Sequence, residues 1–201
     1  MRKKVIFVFL LNSLLINANA QGIGVKGGFS LADDLYKLYI TKMPTDYIAG
    51  LTAGISAEIP LAESIYLNPN LLFIKKGTHV EITGAERRIR IRYLEFPIDV
   101  MYKYDFVTWK LFAEAGPYLG IGLSARIKEQ DNKEKIKFGS EADRFKRFDY
   151  GIGFGAGIEI NKIQVGLNFG LGFPDISNNE SEVLRNRVYT LTVVYSLNDL
   201  F

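Results

Sequence analysis

The 201-residue chain has no cysteine, a single histidine and a single tryptophan. It also lacks any unbroken apolar run of the roughly 18 residues that mark a membrane-spanning helix. Without cysteine there can be no disulfide, no thiolate-bound zinc, no thiol nucleophile and no lipid-modified cysteine anchor. One histidine, His79, excludes a metal site built from several imidazoles and leaves one conceivable general base. The missing apolar run excludes a helical membrane protein. Positive charge is scarcer than the formal +3 implies. Arg2, Lys3 and Lys4 fall in a segment read below as a removed leader, and without them the 25 basic residues become 22, equal to the 22 acidic ones. A chain of zero net charge has no bulk excess of Lys and Arg to grip nucleic acid.

What is present begins with an export signature. Residues 1–20 read MRKKVIFVFLLNSLLINANA: a basic start, an apolar stretch from Val5 to Ile16, and Ala18-Asn19-Ala20 as a small-x-small cleavage pattern. The apolar stretch is about 12 residues, short of the roughly 20 needed to span a bilayer as a helix. Cleavage is expected before Gln21, leaving residues 21–201 as one domain of ordinary size.

That domain carries 19 glycines, 13% aromatic residues and a period-two hydrophobic pattern, the mark of strands with two unlike faces. From Tyr47 to Ile59 the odd positions are apolar, while the even ones between them include Gly50, Thr52, Gly54, Ser56 and Glu58. The same alternation runs from Gly22, from Trp109, through 150–160, through 163–173, and from Tyr189 to the end. Residues 65–76 alternate only at their start, and residues 88–104 change phase. There Ile89, Ile91 and Tyr93 give way to Leu94, Phe96, Ile98 and Val100, which reads as a bulge at Tyr93-Leu94 that flips the strand. Eight strands result.

The connections between them, about 31–46, 60–64, 77–87, 105–107, 128–147, 161–162 and 174–186, alternate long and short. That order fits an all-β, eight-stranded, antiparallel up-and-down transmembrane barrel with short periplasmic turns and long outer loops.

Alternation alone does not say whether the apolar face lines a calyx or meets lipid. The polar face carries Lys26, Glu58, Arg90, Arg92, Glu95, Asp99, Lys110, Glu114 and Glu159 among many glycines. Charges of both signs can pair in a narrow lumen, and glycines such as Gly116, Gly151 and Gly166 would leave room for long side chains of the opposite wall. The expectation is a plugged, charge-paired interior with a structural role for those nine residues. Aromatics near strand ends, including Tyr47, Tyr102, Tyr104, Trp109, Tyr150, Phe173, Tyr189 and Tyr195, suit interfacial girdles. Phe201 ends the chain in phase with Tyr195 and Leu197, although Asp199 shares that phase. Pro69, Pro97 and Pro117 fall inside proposed strands and call for local bulges there.

Chemistry is thin. Gly22-Ile-Gly24-Val-Lys-Gly27 satisfies GxGxxG but neither follows a strand nor opens a helix. His79 has Glu81 close in sequence and no serine in the pattern, and Asp175, Asn178, Asn179, Glu180 and Glu182 lack calcium-loop spacing. No catalytic, cofactor or metal site is expected.

Four strings, GIGVKGGFS, YLEFPIDVMYKY, LFAEAGPYLGIGL and DYGIGFGAGIEINKIQVGLNFGLG, resemble the PorT-like outer-membrane β-barrel domain family of Gram-negative envelopes. The resemblance covers essentially residues 21–201. It implies a fold and a compartment, with no agreed catalytic residues to carry over. The leading expectation is a non-enzymatic barrel embedded in outer-membrane lipid, with a structural or adhesive role exerted on other envelope proteins through its extracellular loops. Alternatives are a small-solute channel, a barrel enzyme acting on lipid or peptide, and a soluble periplasmic ligand-binding barrel.

Overall fold

A computed structural model describes residues 22–39, 41–82, 85–129, 132–141 and 145–197. The expected leader at 1–20 and the terminal Phe201 lie outside the described residues. Among the described residues ten strands are formed: β1 Gly22–Leu38, β2 Thr41–Lys42, β3 Thr45–Ala62, β4 Ile65–Ile82, β5 Ala85–Asp105, β6 Lys110–Glu129, β7 Asn132–Ile136, β8 Phe148–Ile160, β9 Ile163–Gly172 and β10 Glu182–Ser196. Eight of them close a ring in the order β10-β9-β8-β6-β5-β4-β3-β1, sealed by β10 on β1 from Gly24–Ser196 to Leu38–Glu182. Every strand pair is antiparallel, and β2 and β7 hang on β1 and β6. Closure leaves the ring without an unpaired edge, the condition for a sheet to cross lipid.

The start of β1, the end of β10 and the tight turns share one end of the barrel. There Asn161 adopts a left-handed φ of 53° in the two-residue turn between Ile160 and Ile163, as hairpin turns of this length require. At the other end the long connections are partly strand. β1 runs to Leu38, and β4 and β5 stay paired up to Ile82–Ala85, so the expected 77–87 loop is a hairpin. These extensions escaped the alternation test because they reverse it. Toward the loop end the inward side chains are mainly apolar and many outward ones polar, so the apolar-out pattern breaks off while the strand continues.

β5 shows the reversal most clearly. Its inward side chains keep one phase throughout: Ile89, Ile91, Tyr93, Glu95, Asp99, Met101 and Lys103 are all buried, while Arg90 and Arg92 are exposed. The expected flip at Tyr93-Leu94 is therefore absent from β5. The extra residue lies on β6, where Arg92 pairs with Ser124 and Tyr93 with Gly122, leaving Leu123 between them. At Tyr93 it is the environment that changes sides. Ile89 and Ile91 join Tyr36, Val80, Ile176 and Leu184 in an apolar core that fills the loop end.

The loops fold down onto this core. Ile176 N–H donates to Leu184 O at 2.8 Å, and Lys146 N–H to Ile176 O at 2.9 Å. Within the core wall Arg87 donates to Glu182 at 2.7 Å and to the Tyr36 hydroxyl at 3.3 Å. Burial pushes that hydroxyl up to about 12, so it stays protonated. Ile91→Ala is expected to cost about 2–5 kcal/mol through the cavity it leaves, against about 0.5 kcal/mol or less for the exposed Arg92→Ala. Denaturant unfolding of the two variants checks this, and equal losses would restore the flipped strand.

Outside the ring, an apolar belt covers the wall between the turns and this upper core. Leu51 (64% exposed), Ile55 (53%), Leu167 (67%) and Val193 (46%) point outward, while the side chains of Glu58 and Glu159 point inward at 18% and 14%. Aromatics gather at both margins. Tyr189 meets Phe169 at 4.8 Å and Tyr47 at 6.1 Å toward the loop end, and Phe106 stacks on Trp109 at 4.1 Å beside the turns. The three prolines expected inside strands cause no register change: Pro69, Pro97 and Pro117 sit opposite Ile98, Tyr118 and Ile152 in ladders whose register is the same on either side of them, whereas Pro60 of β3 lies beside a register shift between Pro60 and Ala62. A missing donor costs a ladder hydrogen bond but does not require an added residue.

Candidate functional site

The chemistry-bearing side chains of the lumen form three layers. In the layer nearest the apolar core, Lys76 of β4 is fully buried between Glu95 of β5 at 2.5 Å and Asp149 of β8 at 3.0 Å. Asn186 of β10 donates to Asp149 at 2.8 Å, and the Tyr118 hydroxyl of β6 donates to it at 3.3 Å. The Lys76 ammonium also lies 4.2 Å from the Tyr118 ring centroid, where the ring face attracts it. The middle layer is looser. Lys26 of β1 donates to Asn70 at 3.3 Å and lies 4.0 Å from Glu114. Asn68 donates to Glu114 at 3.5 Å, and Asp99 is buried beside them. In the layer nearest the turns, Lys103 of β5 joins Glu58 of β3 at 2.5 Å and Glu159 of β8 at 2.6 Å. Gln164 of β9 donates to both carboxylates.

Six of the nine expected lumen residues therefore lie inside: Lys26, Glu58, Glu95, Asp99, Glu114 and Glu159. Three do not. Arg90 and Arg92 point outward because β5 keeps its phase. Lys110 sits at the turn end, 39% exposed and paired with Asp105 at 3.1 Å. Their absence changes the electrostatics, since Lys26, Lys76 and Lys103 face seven inward carboxylates, the wholly buried Asp34 of β1 included. Amide and hydroxyl donors from Asn68, Gln164, Asn186 and Tyr118 supply contacts that cations do not, as buried carboxylates require.

Lys76 and Asp149 were not among the residues expected here. Asp149 is in phase with Gly151 to Glu159, but the strand was expected to start at Tyr150. Lys76 is in phase with Asn68 and Asn70, but the inward Leu72 and Ile74 interrupt the polar pattern. The glycines expected to clear the opposite wall instead relieve close neighbours: a Cβ on Gly116 would collide with Ile98 O and one on Gly151 with Leu171 O, both backbone of the adjoining strand. A Cβ on Gly166 would lie 3.1 Å from Phe112, and one on Gly172 would lie 3.2 Å from the Tyr118 hydroxyl.

Between the layers remains a cavity of 60 Å³ lined by Lys26, Glu95, Asp99, Glu114, Tyr118 and Thr192. At roughly 10–15 Å³ of such volume per molecule it holds about four to six waters. The remaining candidates are surface features. His79 faces outward, with Asp46 at 3.5 Å and Glu86 at 3.6 Å. Asp175 accepts from the backbone N–H groups of Ser177 and Leu184 at 3.0 and 2.8 Å, shaping its loop. Gly22 and Gly24 lie on β1 facing inward, with no helix after them. Among the described residues no group of three His, Asp or Glu side chains is placed to hold a metal ion.

A closed antiparallel ring with apolar side chains outside and ion pairs inside narrows the choice to barrels that live in lipid. The family model described as "Outer membrane protein beta-barrel domain" matches residues 17–178. The chain belongs to this family. The belt is thus the lipid-facing surface of an outer-membrane barrel.

Among solved structures it is similar to the outer membrane protein OprG from Pseudomonas aeruginosa, at 12% identity over 88% of this chain and 95% of that one, TM-score 0.49. It is also similar to Neisserial surface protein A, at 11% identity over 87% and 97%, TM-score 0.48. A third is Ail of Yersinia pestis, at 11% over 88% and 99%, TM-score 0.44, solved in complex with the heparin analogue sucrose octasulfate. No curated protein matches the chain.

Proposed function

We propose that this outer-membrane barrel is a sealed, non-enzymatic envelope protein, exported by the leader at residues 1–20, whose role is structural or adhesive and whose extracellular wall and loops are the contact surface for other envelope proteins. The PorT-like resemblance is the finer placement we favour within the family. One observation carries the reading. The lumen is crossed by Lys76–Glu95–Asp149 and again by Lys103–Glu58–Glu159, with the apolar plug of Ile89, Ile91 and Ile176 above them. A conducting path would have to break two buried ion clusters and open an apolar core, and removing one partner of a buried pair costs about 3–5 kcal/mol. Purified protein in a planar lipid bilayer is therefore expected to give no steady conductance above that of the lipid. A large, persistent current would overturn the sealed barrel and favour the small-solute channel.

A further inference from the structure

Just above the belt, the wall formed by β4, β5 and β6 is basic on its outer face. Its lower edge is an apolar row: Phe73 opposite Leu94, and Leu94 opposite Ile121. One outward step further, roughly 6–7 Å along the strand at about 3.3 Å per residue, Lys75 lies opposite Arg92. Above that row Arg90 lies opposite Arg126, and Arg126 opposite Lys135 of β7. Directly opposed side chains share a face with Cβ atoms about 4.5–5.5 Å apart, and like charges so placed repel.

The counter-charges lie elsewhere. Glu86, at the far rim, is taken by His79 at 3.6 Å and Arg88 at 3.7 Å. Glu134, although next to Lys135 in sequence, lines the hollow on the inner side with Arg87 and Glu182. Among the described residues no carboxylate pairs with Arg90, Arg92, Arg126 or Lys135, all of which are exposed. On the opposite wall at similar height, Arg187 is paired with Asp33. The basic face is therefore a local excess that the chain itself leaves uncompensated.

We propose that this wall binds the phosphate groups of outer-leaflet lipid. Lys75, Arg90, Arg92 and Arg126 hold the phosphates of a lipid whose acyl chains lie against Phe73, Leu94 and Ile121. The guanidinium fork suits phosphate oxygens, forming paired hydrogen bonds. The height of the patch selects a lipid headgroup over a soluble polyanion, because the cations begin one side chain above the acyl-facing row rather than at the loop tips. The inference rests on the membrane reading of the belt and adds a defined site to it.

The test uses the full-length mature chain refolded into phosphatidylcholine vesicles containing diphosphorylated lipid A or its dephosphorylated form, followed by native mass spectrometry of the retained lipid. Wild type should retain the diphosphorylated form selectively. At about a fivefold loss per cation removed, Arg90→Gln/Arg92→Gln/Arg126→Gln should bind it roughly a hundredfold more weakly. Lys37→Gln/Arg185→Gln, on the opposite wall, should bind as wild type. Equal retention by wild type and the triple variant, or no preference for the phosphorylated lipid, overturns the site. Full displacement of the lipid by soluble heparin at equal charge overturns the lipid assignment in favour of an external polyanion. Wild type that does not float with vesicles in a density gradient fails the membrane reading itself, whereas floating protein without lipid selectivity fails only the site.

Discussion

Lys76→Met is expected to destabilise the folded barrel by about 3–5 kcal/mol, the usual result of removing one partner from a buried ion cluster. The ammonium is wholly buried, 2.5 Å from Glu95 and 3.0 Å from Asp149. Methionine retains most of the volume, so the loss reports charge rather than packing. The informative comparison is the triple replacement Lys76→Met/Glu95→Gln/Asp149→Asn, which removes the stranded carboxylates with their cation. It should recover most of the deficit, since neutral groups of similar shape often substitute for a buried ion cluster at little cost. Denaturant unfolding in lipid vesicles measures all three proteins. A loss below about 1 kcal/mol for Lys76→Met, the range of a solvent-exposed pair, would mean that the layer is hydrated and the lumen open.

The second large effect lies on the outer wall. Leu167 is 67% exposed to the barrel's exterior, midway along β9 between Ile163 beside the turn and Phe173 at the loop-end margin. Leu167→Arg is expected to cost about 2–4 kcal/mol, as an arginine at the bilayer midplane does, and Ile163→Arg about 0–1 kcal/mol near the interface. Reversible unfolding into lipid reads both. In a soluble barrel an exposed leucine exchanged for arginine would change stability little at either depth, so two small and equal values would refute the membrane assignment of the belt.

Much of the lumen was legible before any coordinates because inward residues of a strand repeat every second position. Glu95 and Asp99 on β5, and Glu58 and Glu159 at the turn-end of their strands, could be assigned to one face from that period alone. The assignment failed where the period held but its meaning changed. Above Tyr93 the same alternation presents Ile89 and Ile91 to the inside and Arg90 and Arg92 to water, and a sequence pattern records the chemistry of a face without recording what that face touches. A flipped strand in lipid and an unflipped strand emerging from lipid produce the same string. The bulge sits on β6, where the glycine-rich run before Leu123 hides the change of phase.

Composition and local periodicity were sufficient for an antiparallel barrel of eight strands with tight turns at one end, because backbone pleating ties alternate residues to opposite faces whatever surrounds them. They also sufficed to place acidic side chains on the inner wall. Which partners those carboxylates meet required closure of the ring. Lys76 reaches Asp149 across 73 residues of chain, and Lys103 is shared by Glu58 and Glu159 from strands on either side of it. Such contacts depend on barrel diameter, strand register and the position of one extra residue on β6, all of which are set by pairing between strands distant in sequence. The height at which the wall leaves the bilayer was decided in the same way, since it is where the ion-paired layers of the lumen give way to a mainly apolar core.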